Sequence, residues 1–214
     1  MEEKIIETKI TQSKILQAMD WAYEKSVEGF GVLDSAQELG DQFMKNDKEL
    51  IQQVDSMIRW QKAKCFTSGF VTGLGGLLTL PLTLPANISS VIFVQVRMIA
   101  TIAYMGGHDL REDKVKSLVY MCIAGSASTD ILKDVGIQVG KGLTKTLIRK
   151  IPGEVFFEIN KKIGIRLLSK LGQRGSVNLT KLLPVAGGLI GGAIDYFSTA
   201  SIAKAAKNVF IKEE

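Results

Sequence analysis

Few residues in this chain have the type and spacing to do chemistry. His108 is the single histidine, and Cys65 and Cys122 are the two cysteines. A Ser-His-Asp relay would need His108 as base and a serine exposed on a tight elbow. The nearest candidate, "GSAS" at Gly125 to Ser128, lacks the G-x-S-x-G form. His108 itself follows a Gly-Gly stop, where a solvent-facing turn is the expectation. One histidine and two distant cysteines give no zinc ligand set. Phosphate loops fare no better. "GLGG" at Gly73 to Gly76 lacks the G-x-G-x-x-G spacing, and no strand pattern precedes it. "GIQVGKGL" at Gly136 to Leu143 is one residue short of the Walker spacing and puts Gly142 where Ser or Thr would bind magnesium. Glu112 and Asp113 read as a solvated helix start. No cofactor and no metal is expected.

Two charges stand out for their surroundings. Arg97 lies in the most apolar helical segment, and Asp195 follows 13 uncharged residues, Leu182 to Ile194. Unpartnered buried charge is costly, so these two either pair or find water or backbone partners. An enzyme reading would use Arg97, Asp130 or Asp195 around a buried cavity. Basic residues offer a different chemistry. Lys141, Lys145 and Arg149 are spaced by four, and Lys162, Arg166 and Lys170 repeat that spacing. Each set falls on one helical face. Two basic amphipathic helices suit an anionic headgroup surface, each cation adding about 1 kcal/mol close to it. Nucleic acid is not expected, because the stripes carry no interleaved aromatics for stacking.

The charge distribution agrees. Residues 1–60 carry 7 Lys/Arg against 12 Asp/Glu, whereas residues 133–174 carry 10 against 3. Such a basic segment favours phospholipid, nucleic acid or the chain's own acidic N-terminal part as counterpart. The two cysteines sit in apolar surroundings and read as buried thiols of a reducing compartment. "MEEKIIETKITQSK" lacks the apolar core of a signal peptide, so that route of export is not expected.

The elements that must position these groups are helices. Ile15, Met19, Ala22 and Tyr23 share one face at helical spacing. "SAQE" at Ser35 to Glu38 has the capping-box form, "NDKE" at Asn46 to Glu49 is a variant of it, and Asp109 with Glu112 suggests a third helix start. Gly106 and Gly107 mark a helix stop. "TDILKDVGIQVGKGLTKTLIRKI" reads as one helical segment up to Pro152, and "GEVFFEINKKIGIRLLSKLG" as the next. Strand patterns are scarce, so an all-α domain of eight or nine helices is expected.

The longest uncharged run, Cys65 to Val96, has 32 residues, four glycines and two prolines. A membrane-spanning helix needs about 20 continuous apolar residues. Pro81 and Pro85 divide the run, and Arg97 closes it. Each arm is short for a span, so a buried helical hairpin at the centre of the domain is expected instead. Ser90, Val94, Arg97 and Thr101 line one face of its second arm; Ile88, Ile92, Ile99 and Ile102 line the other. Gly69 and Gly73, Gly136 and Gly140, Gly187 and Gly191, and Gly188 and Gly192 are each four apart, a spacing that lets helices approach closely.

Four segments then resemble the bacterial EcsC family: "GFVTGLGGLLTLPLTLPANI" at Gly69 to Ile88, "QVRMIATIAYMGGHDL" at Gln95 to Leu110, "EINKKIGIRLL" at Glu158 to Leu168, and "KLLPVAGGLIGGAIDYFSTASIAKAAKNVF" at Lys181 to Phe210. The resemblance covers about residues 55–212 and rests on Gly69, Gly73, Gly75, Gly76, Pro81, Pro85, Arg97, Pro184, Gly187, Gly188, Gly191 and Gly192. It implies membrane association and carries over no catalytic residue.

The expected organisation is an acidic helical segment, residues 1–50, packed on an EcsC-like helical domain, residues 51–214. The expected function is a non-enzymatic, cytoplasmic protein peripheral at the inner face of the membrane. It would contact anionic lipid or a membrane protein through the basic stripes. Two other readings stay open: a soluble carrier of a fatty or lipid molecule, and an enzyme built on Arg97, Asp130 and Asp195.

Overall fold

The computed structural model describes residues 11–31, 33–45, 48–65, 86–137, 142–175 and 187–212. Among them are nine helices and no strand, packed as one domain around a single core. In chain order they are α1 Gln12–Glu28, α2 Ala36–Met44, α3 Leu50–Cys65, α4 Ala86–Met105, α5 Asp113–Cys122, α6 Ala127–Asp134, α7 Lys145–Lys150, α8 Gly153–Gly175 and α9 Gly187–Phe210.

Local chemistry explains most of the boundaries. Thr11 caps α1, its hydroxyl accepting from the Lys14 amide at 3.3 Å. The expected stripe of Ile15, Met19, Ala22 and Tyr23 is the buried face of that helix. Ser35 and Glu38 form the capping box that opens α2: the Ser35 hydroxyl accepts from the Glu38 amide, and the Glu38 carboxylate accepts from the Ser35 amide at 2.8 Å. Two orphan amides are satisfied at once. Ser35→Ala is therefore expected to cost about 1 kcal/mol, read as a lower urea midpoint at unchanged slope. α4 ends as its two glycines suggest. Gly107 takes φ +79°, its amide reaches the Tyr104 carbonyl, and the His108 amide reaches the Ala103 carbonyl. That pairing satisfies two of the helix's last carbonyls.

Other boundaries differ from the sequence reading. α5 begins at Asp113, with Glu112 at the cap position. Asp109 instead turns its carboxylate onto the Arg111 amide, 2.9 Å away, and shapes the preceding turn. The segment 129–151 is not one helix. Gly136, at φ +77°, ends α6 with the Ile137 amide on the Leu132 carbonyl, and α7 starts afresh at Lys145 under a Thr144 cap. Asn46, the hairpin turn with Gly69, Gly73, Gly75, Gly76, Pro81 and Pro85, and Gly140 and Pro184 lie outside the described residues.

α4 is the axis of the packing. It touches α1, α2, α3, α5 and α9, and every residue from Ile92 to Ala103 is buried. Contact on all sides accounts for its apolar circumference. α1 also packs against α8, and α5 against α8 and α9. The N-terminal helices are thus built into the same core as the later ones. Among the described residues, no helix is long and apolar enough to cross a membrane.

Candidate functional site

Two of the buried polar candidates, Arg97 and Asp130, have described side chains, and their surroundings differ. Arg97 is 2% exposed, and its Nε donates to the Asp34 carbonyl at 2.9 Å, just before the α2 cap. A backbone oxygen thus takes part of its hydrogen-bonding capacity. Asp130 is exposed, contrary to expectation, because the inner face of α6 is taken by Ser128, Ile131 and Leu132. The side chain of Asp195 lies outside the described residues. His108 also departs from the expected solvent-facing turn. It is 5% exposed, set edge-on against Phe210 with ring centroids 5.2 Å apart.

Burial governs two of the other groups that could react. Burial pushes the Cys122 thiol well above its ordinary range, so no thiolate forms near neutral pH. Tyr120 is pushed far up by burial and then by its bond to Asp20, 2.7 Å away. Lys116 closes that cluster, 2.7 Å from the same Asp20 oxygen and over both the Tyr23 and Tyr120 rings. The cluster ties α1 to α5. Among the described residues, no three His, Cys, Asp or Glu side chains gather to hold a metal ion.

The charge asymmetry is partly resolved inside the fold. Lys116 with Asp20, and Lys207 with Asp55 at 2.6 Å, join later bases to N-terminal acids. The basic stripes are modified too. α7 begins only at Lys145, and Lys141 lies outside the described residues. Arg149 pairs with Glu112 at 2.8 Å, and Lys162 with Asp134 at 2.9 Å. That contact holds the Asp134 carboxyl below its ordinary range. Arg166 leans on the Ala127 carbonyl at 3.5 Å. Lys145 is exposed, and Lys170 lies on α8 with its side chain outside those described.

α8 is where exposed apolar and basic groups meet. Pro152, lacking an amide donor, stands immediately before its first residue. Lys114 reaches over to satisfy the carbonyls of Arg149 and Ile151, at 2.8 and 2.7 Å, fixing the α7–α8 corner. The inner face of α8 is Phe156, Ile159, Ile163 and Leu167, all buried. Its outer face carries Phe157, Lys161, Ile165 and Ser169, spaced by four and all exposed. Phe157 is 70% exposed and Ile165 51%. Lys162 and Arg166 flank this stripe, while Glu154 and Glu158 sit at its N-terminal end, where the helix dipole favours acids. The sequence reading found the basic residues Lys162, Arg166 and Lys170 of α8 but not the exposed Phe157 and Ile165 beside them. A second signal was present: α8 has more large apolar residues than one inward stripe can hold.

Fold and surface together define an all-α, single-domain protein whose most distinctive described surface is an apolar stripe beside basic residues. The chain belongs to the EcsC protein family, whose family model matches residues 2–212. The match extends the resemblance back through α1 and α2, in keeping with their place in the core around α4. No curated protein and no solved structure matches the chain.

Proposed function

We propose that this EcsC-family protein is a non-enzymatic, peripheral protein of the inner face of the bacterial membrane, docking on anionic lipid through the outer face of α8. The observation that carries this reading is the exposure of Phe157 and Ile165 on one stripe with Lys161, beside Lys162 and Arg166. Scattered exposed apolar residues are ordinary. Two large ones on the same helical stripe, next to cations, suit a helix lying at the headgroup boundary. There the rings and branched chains enter the acyl region and the cations stay with phosphate.

Flotation with vesicles tests it. Recovery is expected with phosphatidylcholine vesicles that contain phosphatidylglycerol, falling as salt is raised and the Debye length shortens. Pure phosphatidylcholine should recover much less. The double substitution Phe157→Ala, Ile165→Ala removes roughly 2–3 kcal/mol of apolar insertion, so partitioning should weaken about 30- to 150-fold. Both side chains are exposed, so the unfolding midpoint should barely move. Equal recovery with and without vesicles at low salt would overturn the proposal. Binding to native membranes but not to vesicles would move the contact to a membrane protein.

A further inference from the structure

The end of α9 is held by groups far away in sequence. The Leu143 amide donates to the Val209 carbonyl at 2.7 Å. His108 Nε2 lies 3.2 Å from the Phe210 carbonyl. That carbonyl is an acceptor only, so Nε2 carries the hydrogen and donates. The backbone of Phe210 runs directly against Gly106, and the Ile211 carbonyl runs against Gly142, both too close for a side chain. Three successive carbonyls, of Val209, Phe210 and Ile211, are therefore seated in a slot made by the end of α4 and the strand of chain before α7. His108 is the one titratable side chain bonded into this slot, and the one histidine in the chain.

We propose that this slot is a pH-sensitive latch: the neutral His108 ring holds the end of α9 down, and protonation of the ring releases it. The geometry gives the reason. A second ring proton would put a full charge on a 5%-exposed ring packed against Phe210. The charged groups facing the ring among the described residues are Lys145 of α7, which opposes that charge, and Glu112, which favours it. Glu112 is already engaged by Arg149. Asp109, next in sequence, is turned onto the Arg111 amide. Burial is the largest influence and lowers the ring's pKa below 6.5; the bond to Phe210 raises it by less. The closed latch is therefore fully favoured above pH 6.5. That advantage is lost as pH falls from 6.5 through the lower value of the closed state. Once pH is below both values, each pKa unit between open and closed states makes the open state tenfold more populated.

The test is a pH series on the full chain. The single histidine gives one imidazole Hε1 resonance, expected to titrate below 6.5. Amide protection factors at Leu143 and Ile211, corrected for intrinsic exchange, should drop between pH 7.5 and 5, by the factor that the measured ring pKa and the value of 6.5 for an open ring together require. In His108→Gln, whose amide nitrogen can replace Nε2 as donor, the drop should vanish while protection at pH 7.5 persists. A ring that titrates at 6.5 or above, or protection independent of pH, would overturn the latch. So would an equal pH response in His108→Gln. Should that variant fail to fold, the ring titration in the natural chain decides alone.

Discussion

Gly142→Ala is expected to destabilise the protein by about 2–4 kcal/mol, far more than a surface glycine usually yields. Two effects combine at this position. Gly142 holds φ +77°, a backbone region that costs an L-residue roughly 1–2 kcal/mol. A Cβ there would also lie 2.5 Å from the Ile211 carbonyl oxygen and 2.9 Å from its carbon. Both are backbone atoms and cannot rotate aside, so the end of α9 must lift. Gly136 is a natural control. It has the same φ, +77°, but open space where a Cβ would go. Gly136→Ala should therefore cost only the conformational part, about 1–2 kcal/mol. Urea midpoints at constant slope give both numbers. Equal losses for the two variants would mean that the contact between Gly142 and Ile211 contributes nothing. If the latch is as described, Gly142→Ala should also bring the His108 titration up towards 6.5.

The second large effect is expected at the axis of the fold. Phe93 is 1% exposed on α4, with its ring 5.8 Å from that of Trp21 on α1 and 6.5 Å from that of Phe30. Phe93→Ala removes the apolar contacts and leaves a cavity that the surrounding chain can only partly close. Losses of this kind run to about 3–5 kcal/mol. Trp21 offers a local readout: its emission should shift to the red as water reaches the space. A loss below about 1 kcal/mol, with unchanged Trp emission, would show that α4 is not the centre of the core.

Much of this architecture is legible in the sequence, and the reasons are local. The α1 stripe follows from periodicity. The Ser35–Glu38 box and the Gly106–Gly107 stop follow from the hydrogen bonds that helix ends lack. What escapes a sequence reading is decided by distant partners. Gly136 and Gly142 interrupt a helical pattern that looks continuous, since the need for glycine at Gly142 comes partly from a carbonyl of Ile211. His108 is buried because Phe210 covers it, and nothing near His108 in sequence says so. Asp130 is exposed because Ile131 and Leu132 claim the inner face of α6. On α8, the cations are visible as a stripe, but an exposed Phe157 reads as core until Phe156 is seen to occupy that place. The Gly/Pro-rich turn that carries the resemblance most strongly falls in residues 66–85, outside those described.

The packing of α1 has a consequence for how the chain is made. α1 is complete by residue 28, yet its most extensive contacts are with α4 and α8, and α8 ends at residue 175. Synthesis at about 5–20 residues per second leaves α1 without its last neighbour for on the order of ten seconds. During that interval the side of α1 that meets α8 is open to water or a chaperone. A fold that needs such long-range contacts to complete its core closes late, because the loop must be gathered before those contacts reward it. α1 thus leaves the ribosome well before the last of the helices that bury it.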